Sequence, residues 1–161
     1  MENPYAKKTE EAIEKGGLLA QLYFDLHARS KESLENLGVG FSSTLGKEEG
    51  VIFAITEVEK PIENEDKSYS TYIRATLLFS DFPALCKMLT KYNPVSIEII
   101  KPEQLKLKNI DLMEGLMAFS ETLYNLKFKL YKDNLSEKEK AFIESIIKAR
   151  EEMGKKLRKG Q

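Results

Sequence analysis

His27 is the single histidine of the chain, and Asp25 stands two positions before it. In an extended segment that spacing puts both side chains on one face, where a carboxylate can orient an imidazole for general-base work. Arg29 follows. An acyl-transfer site would also need a nucleophile, and nothing in the pattern points to Ser96, Thr76 or Cys86 in that role. One histidine among carboxylates shows no metal-ligand spacing either. The plain reading is a hydrogen-bonded strand end, with no catalytic group, metal or cofactor expected.

GVGFSSTLGK, residues 38–47, is the second stretch with a chemical look. A Walker loop requires G-x-x-x-x-G-K-[ST] between a strand and a helix, so that backbone donors and the helix dipole meet phosphate. Gly40 and Gly46 are one residue too far apart, and Glu48 follows Lys47 where a hydroxyl should hold Mg²⁺. Ser43 stands where the dinucleotide pattern needs its third glycine. The segment reads as the punctuation of a helix end. Cys86, the lone cysteine, lies between Leu85 and Met88 and reads as a small buried apolar residue.

Composition narrows the classes. A formal net charge of −1 lacks the basic excess of a dedicated nucleic-acid binder. With 42% hydrophobic and 32% charged residues, the chain is that of a folded domain. One unpaired thiol allows no internal disulfide and fits a reducing compartment, so a cytoplasmic location is expected. The charged N-terminal segment is no secretory signal, and no apolar run reaches membrane-spanning length. Abundant Lys and Glu with no Trp fit a thermophile bias, and equally an AT-rich coding preference.

These residues must be positioned by elements, which the periodicity supplies. Residues 2–15 form a short, mostly solvated helix ended by Gly16-Gly17. LLAQLYFDLHA alternates, with Leu18, Ala20, Leu22, Phe24 and Leu26 on a buried face. Ser30 caps a helix carrying Leu34, Leu37, Phe41 and Leu45, which Gly38 and Gly40 are expected to bend or break. VIFAITEVEKPI is a second strand stopped at Pro61, ENEDKS a turn, and YSTYIRATLLF a third strand. A short helix capped by Ser80 or Asp81 follows, then a break at Asn93-Pro94 and a fourth strand, VSIEII.

The order β-α-β-β-α-β over residues 18–101 is the split βαβ arrangement, so the expected fold class is α+β and ferredoxin-like. Two helices would cover one face of a four-stranded antiparallel sheet. The tail adds an αα-hairpin. Leu112, Leu116, Phe119, Leu123, Leu126 and Leu130 step by four and three, and Met113, Met117, Tyr124 and Tyr131 widen the stripe. After a turn at Asp133-Asn134, Ser136 and Glu139 match a capping box. Phe142, Ile143, Ile146, Ile147, Met153 and Leu157 then recur at helical spacing. The organisation is thus an N-terminal helical extension (1–17), a ferredoxin-like domain (18–108) and a C-terminal helical hairpin (109–161).

The outer sheet face gathers Tyr23, Asp25 and His27 with Tyr72, Arg74 and Thr76, flanked by Glu57, Glu59 and Glu98. Arg74 is expected between Asp25 and Glu57. With Tyr23 and Tyr72 on the two central strands, this face resembles the platform of RNA-recognition-motif proteins, and the resemblance implies base stacking on those rings. YSTYIRATLLF lacks that motif's glycine and its aromatic pair, and the neighbouring carboxylates would repel phosphate, so nucleic acid is not the expected partner. The element order also looks like regulatory domains of the ACT type, which dimerise and bind effectors. HARSKES lacks the glycine-containing turn such domains often carry after their first strand.

The tail's stripe exceeds what one partner helix covers, so its surplus must meet the sheet or a second copy. The sequence therefore points to a non-enzymatic cytoplasmic protein acting by self-association, with a dimer favoured through Leu112–Leu130. The open-face residues Tyr23, Asp25, His27, Glu57, Tyr72, Arg74 and Glu98 would offer a protein or a small ligand its place. RNA binding on that face, or a small enzyme using His27 with nearby carboxylates, are the alternatives.

Overall fold

The computed structural model describes residues 4–132 and 135–159, apart from the side chains at positions 4, 132, 151 and 156–159. The turn expected at Asp133-Asn134, the side chain of Leu157 and most of the basic run from Lys155 to Lys159 lie outside that description.

Strict alternation gives β1 (Leu18–Ala28) one apolar face, and Leu18, Ala20, Leu22 and Phe24 are buried on it. Its neighbour β4 (Tyr69–Phe79) runs antiparallel in unbroken register, from Leu18 opposite Phe79 to Ala28 opposite Tyr69. The remaining strands are β2 (Val51–Val58), a short β3 (Ile62–Glu63) and β5 (Ser96–Lys101). Together they form an open antiparallel sheet in the order β2-β4-β1-β5, with β3 pairing β4. The VIFAITEVEKPI segment is therefore two pieces. After Glu59 donates its amide to the Tyr72 carbonyl, Pro61, which has no amide hydrogen, interrupts the ladder, and Ile62 and Glu63 rejoin β4 separately.

Helices α2 (Lys31–Leu45) and α3 (Phe82–Tyr92) cover the buried face. Leu45 of α2 and Ala84, Leu85 and Met88 of α3 join Ile73, Ala75, Leu77 and Phe79 in one core. Each starts at a side-chain cap: Ser30 accepts from the Ser33 amide, and Asp81 accepts from the Ala84 amide at 2.8 Å. α3 ends at Asn93, whose φ of 47° is the left-handed conformation that asparagine tolerates. Phe41 and Tyr92 close the core edge-on around Phe24, with ring centroids 4.9 and 6.4 Å away.

Gly38 does not break α2, which runs unbroken through both glycines. A Cβ at Gly38 would sit 3.2 Å from Val58 Cγ1, so the glycine lets the helix lie close on the sheet. Leu37, expected in the core, is 52% exposed beside it. The close approach rotates the helix so that its smallest residue, rather than the neighbouring leucine, meets β2.

The first helix, α1 (Pro4–Glu14), is less solvated than its charges suggest. Thr9 and Ala12 are buried, and Tyr5 packs edge-on against Phe53 at 5.0 Å. Phe53 shares a cross-strand row with Leu78 and Leu19, so α1 covers that end of the sheet's second face. Gly16, at φ 96°, turns the chain into β1, and at Gly17 a Cβ would meet the Phe79 carbonyl oxygen at 2.6 Å.

The chain divides into two compact units, residues 1–120 and 121–161, and the division falls within α4 (Asn109–Lys132). In the first unit α4 turns its small residues inward. Gly115 is buried, and a Cβ there would lie 2.7 Å from Phe82 Cε1 and 2.8 Å from Cys86 Sγ. In the second unit Arg150 of α5 (Glu137–Lys159) lies over the Tyr124 ring, 4.5 Å from its centroid. α5 begins at the expected capping box: the Ser136 amide donates to Glu139 Oε2 at 2.8 Å, and the Glu139 amide returns to Ser136 Oγ at 3.4 Å.

Two stability predictions follow from this packing. Gly115→Ala gains about 1 kcal/mol of helix propensity. It also forces a methyl group against Phe82 and Cys86, an overpacking that costs about 1–3 kcal/mol. Because Cys86 is buried and cannot swing away, chemical denaturation should show net destabilisation. The second concerns Glu48, whose Oε1 accepts from Lys91 Nζ at 2.7 Å and from Tyr92 Oη. Those hydrogen bonds, Lys91 first, hold the Glu48 carboxyl below the ordinary carboxylate range. The link is therefore complete above that range and fades as pH falls through the lowered value. Glu48→Gln should cost about 1–2 kcal/mol at neutral pH. It should also flatten the decline of stability with acid, as urea melts across pH 3–7 would show.

Candidate functional site

The second face of the sheet, beyond the end that α1 covers, collects the polar residues singled out above. The register builds it row by row. Tyr23 lies opposite Arg74, and Arg74 opposite Glu57. In the next row Asp25 faces Tyr72, and beyond it His27 faces Ser70. On the other side of β1, Gln21 pairs with Glu98 and Tyr23 with Ser96. Thr76 sits between Gln21 and Ile55, at the margin toward α1.

Charge on this face is largely spoken for. Arg74 Nη2 donates to Glu57 Oε2 and stands 3.9 Å from Glu59 Oε1. Glu57 raises the Arg74 pKa, first through that hydrogen bond and then through its charge. Arg74 is thus bracketed by Glu57 and Glu59 rather than by Asp25 and Glu57. Asp25 turns instead to His27, whose Nε2 lies 3.0 Å from Asp25 Oδ2. Their side chains are 52% and 63% exposed, so this pair sits at the solvent edge of the face. The Tyr23 and Tyr72 rings stand 6.5 Å apart and tilted, and Gln21 Nε2 donates to Tyr23 Oη at 2.8 Å.

The face brings Tyr23, Tyr72, Arg74 and Glu57 together, holds Asp25 and His27 beside them, and leaves Glu98 on the far strand. It is shallow. Two concavities among the described residues lie elsewhere. One, of about 310 Å³, is bounded by Gly16, Gly17, Pro102 and Leu105, and one of about 240 Å³ lies under α1 beside Phe53 and Lys101. Among the described residues no group of three or more His, Cys, Asp or Glu side chains is placed to hold a metal ion. Cys86 is buried, and burial pushes its thiol pKa up, away from the thiolate that nucleophilic chemistry needs. The GVGFSSTLGK stretch forms the last turns of α2 and its C-cap Gly46, the opposite end of a helix from the one that binds phosphate.

The other surface of note is apolar. Along α4 the residues Leu112, Leu116 and Phe119 of the first unit are exposed. So are Leu123, Leu126 and Leu130 of the second, with Leu130 at 69%. β5 is exposed at every position, Ile97 and Ile99 included. The sequence pattern found the α4 stripe. Val95, Ile97 and Ile99 alternate in the sequence as a covered strand does, and all three are exposed.

The model of the MJ0538 family matches residues 19–154, from the second residue of β1 to within α5. The chain belongs to the MJ0538 family. No curated protein and no solved structure matches it. The MJ0538 match takes in the sheet, α2, α3, the whole of α4 and most of α5, and so includes both the polar face and the apolar stripe. It begins after α1, the helix that covers one end of the polar face. No helix among the described residues is long and apolar enough to cross a membrane, so the stripe is not a membrane span.

Removing Arg74 should reveal the carboxylates that it pairs with. Arg74→Gln leaves Glu57 and Glu59 without their counter-charge. Its melting temperature should fall more at about 10 mM salt than at about 500 mM, where screening reaches within a few ångströms. Parallel thermal melts of both proteins at the two salt concentrations measure the difference.

Proposed function

We propose that this member of the MJ0538 family is a non-enzymatic cytoplasmic protein of assembly or regulation, built from a ferredoxin-like βαββαβ domain and a helical hairpin. It acts by pairing with a second copy of itself, and its polar sheet face offers a protein or a small ligand a place to bind. The observation that carries this reading is the orientation of α4. Gly115 takes the buried position against Phe82 and Cys86, while Leu112, Leu116 and Phe119 around it point outward. A helix that hides its glycine and displays its leucines is arranged for a partner.

The magnitudes support it. Covering each half-exposed Leu or Phe contributes on the order of 1 kcal/mol. A stripe of that length from each of two copies reaches the range needed to offset the cost of association, about 4–15 kcal/mol. An apolar surface this continuous is uncommon on a protein that works alone. The polar face supports the smaller part of the reading. Its tyrosines present ring surface, and Arg74, already engaged with Glu57 and Glu59, offers phosphate little, which weighs against RNA. His27 and Asp25 stand in solvent away from either concavity, which weighs against hydrolytic chemistry.

Light scattering on the full chain should report roughly twice the 18.4 kDa chain mass at micromolar concentration. Leu116→Glu with Leu123→Glu should return the mass to that of one chain with helix content unchanged. A wild-type protein that scatters as a single chain up to about 100 μM would refute self-association.

A further inference from the structure

The spacing along α4 says more than that a partner exists. Leu112, Leu116, Phe119, Leu123, Leu126 and Leu130 follow steps of four, three, four, three and four. The alternation of four and three returns each position every seven residues, the heptad repeat of a coiled-coil seam. In such a heptad, Leu116, Leu123 and Leu130 take one seam position and Leu112, Phe119 and Leu126 the other. The docked side of the helix lies elsewhere. Gly115 and Ala118 face inward in the first unit, and Tyr124 and Phe128 are half-buried in the second. The seam residues are exposed in both, on one helix of 24 residues.

Resting on the self-association reading above, we infer that the partner's own α4 occupies this seam and runs antiparallel, centred between positions 119 and 123. The order of residues is self-complementary about that centre. Leu112 meets the partner's Leu130, Leu116 meets the partner's Leu126, and Phe119 meets the partner's Leu123. Every layer pairs one seam position with the other, as antiparallel coiled coils require, and every layer is apolar. Charge selects the same direction. Asp111 and Glu114 stand toward the start of α4, Glu121 at its middle, and Lys127, Lys129 and Lys132 toward its end. Antiparallel copies set the acidic end of each helix beside the basic end of the other and oppose the helix dipoles, whereas parallel copies would gather the lysines at one end. The area suffices as well. The seam side chains of two copies, at on the order of 100 Å² each, remove roughly 1,200 Å² from water, the lower bound for a specific interface.

Spin labels test the direction without touching the seam. Ile110 and Tyr131 are exposed, at 49% and 66%, and lie off the seam line. In a Cys86→Ala background, labels at Ile110→Cys on both copies should lie about 33 Å apart along the axis, at 1.5 Å per residue. Mixing copies labelled at Ile110→Cys with copies labelled at Tyr131→Cys should bring labels within about 10 Å, the distance between packed helices, visible as spin–spin broadening. If Cys86→Ala fails to fold, the labels go on the native background, where buried Cys86 reacts slowly. A dimer in which two labels at position 110 lie side by side, or whose mixed sample shows no broadening, overturns the antiparallel seam and leaves self-association standing. A monomer removes both.

Discussion

Gly115 of α4 rests on Phe82 and Cys86 of α3 at a distance that no side chain could share. A helix docked through its glycine comes closer to its support than one docked through leucine, and gains dispersion contacts along the backbone itself. The same contact fixes the helix's rotation. With Gly115 and Ala118 inward, Leu112, Leu116 and Phe119 on the neighbouring side of the helix are left exposed. In the first unit, the exposure of these three residues goes with the way the helix is seated on α3.

That seat is prepared by the α+β core beneath it. α3 is held at its N-terminus by the Asp81 cap and at its C-terminus by Asn93, with Glu48 accepting from Lys91 and Tyr92 near that end. Ala84, Leu85 and Met88 sink into the sheet, and Phe82, half-buried, receives α4. Cys86 belongs to this arrangement. Its thiol fills the space beside the missing Cβ of Gly115, and its buried, protonated state suits packing rather than chemistry.

Much of this was legible in the sequence where a local rule dominates. The alternation of LLAQLYFDLHA, the Ser30 cap and the Ser136–Glu139 box are each written within a few residues and stand in the structure as read, and of Ser80 and Asp81 the structure takes Asp81 as the second cap. What depended on close approach between distant segments was not legible. Gly38 looks like a helix breaker until Val58 is seen against it, and Leu37 looks like core until that contact rotates it outward. α1 looks solvated because Thr9 and Ala12 are small, yet small residues let it lie flat on the Leu19–Leu78–Phe53 row. On the polar face the expected Arg74–Glu57 pair stands, while Asp25 pairs with His27 instead of Arg74. Register alone places Arg74 opposite Glu57, and side-chain reach, not strand order, gives Glu59 rather than Asp25 as the second carboxylate.

The two surfaces differ in what a partner would have to displace. On the polar face a ligand must compete with bonds already made: Arg74 to Glu57, His27 to Asp25, Gln21 to Tyr23. Each exchange returns little, because an exposed ion pair or hydrogen bond trades against water at near parity. On the α4 seam nothing but water leaves, and the gain grows with every side chain covered. Binding at the polar face would therefore be selective and weak, and binding at the seam strong and determined by spacing. On the proposed reading, the helix would hold the assembled state while the sheet stays free to respond to a ligand.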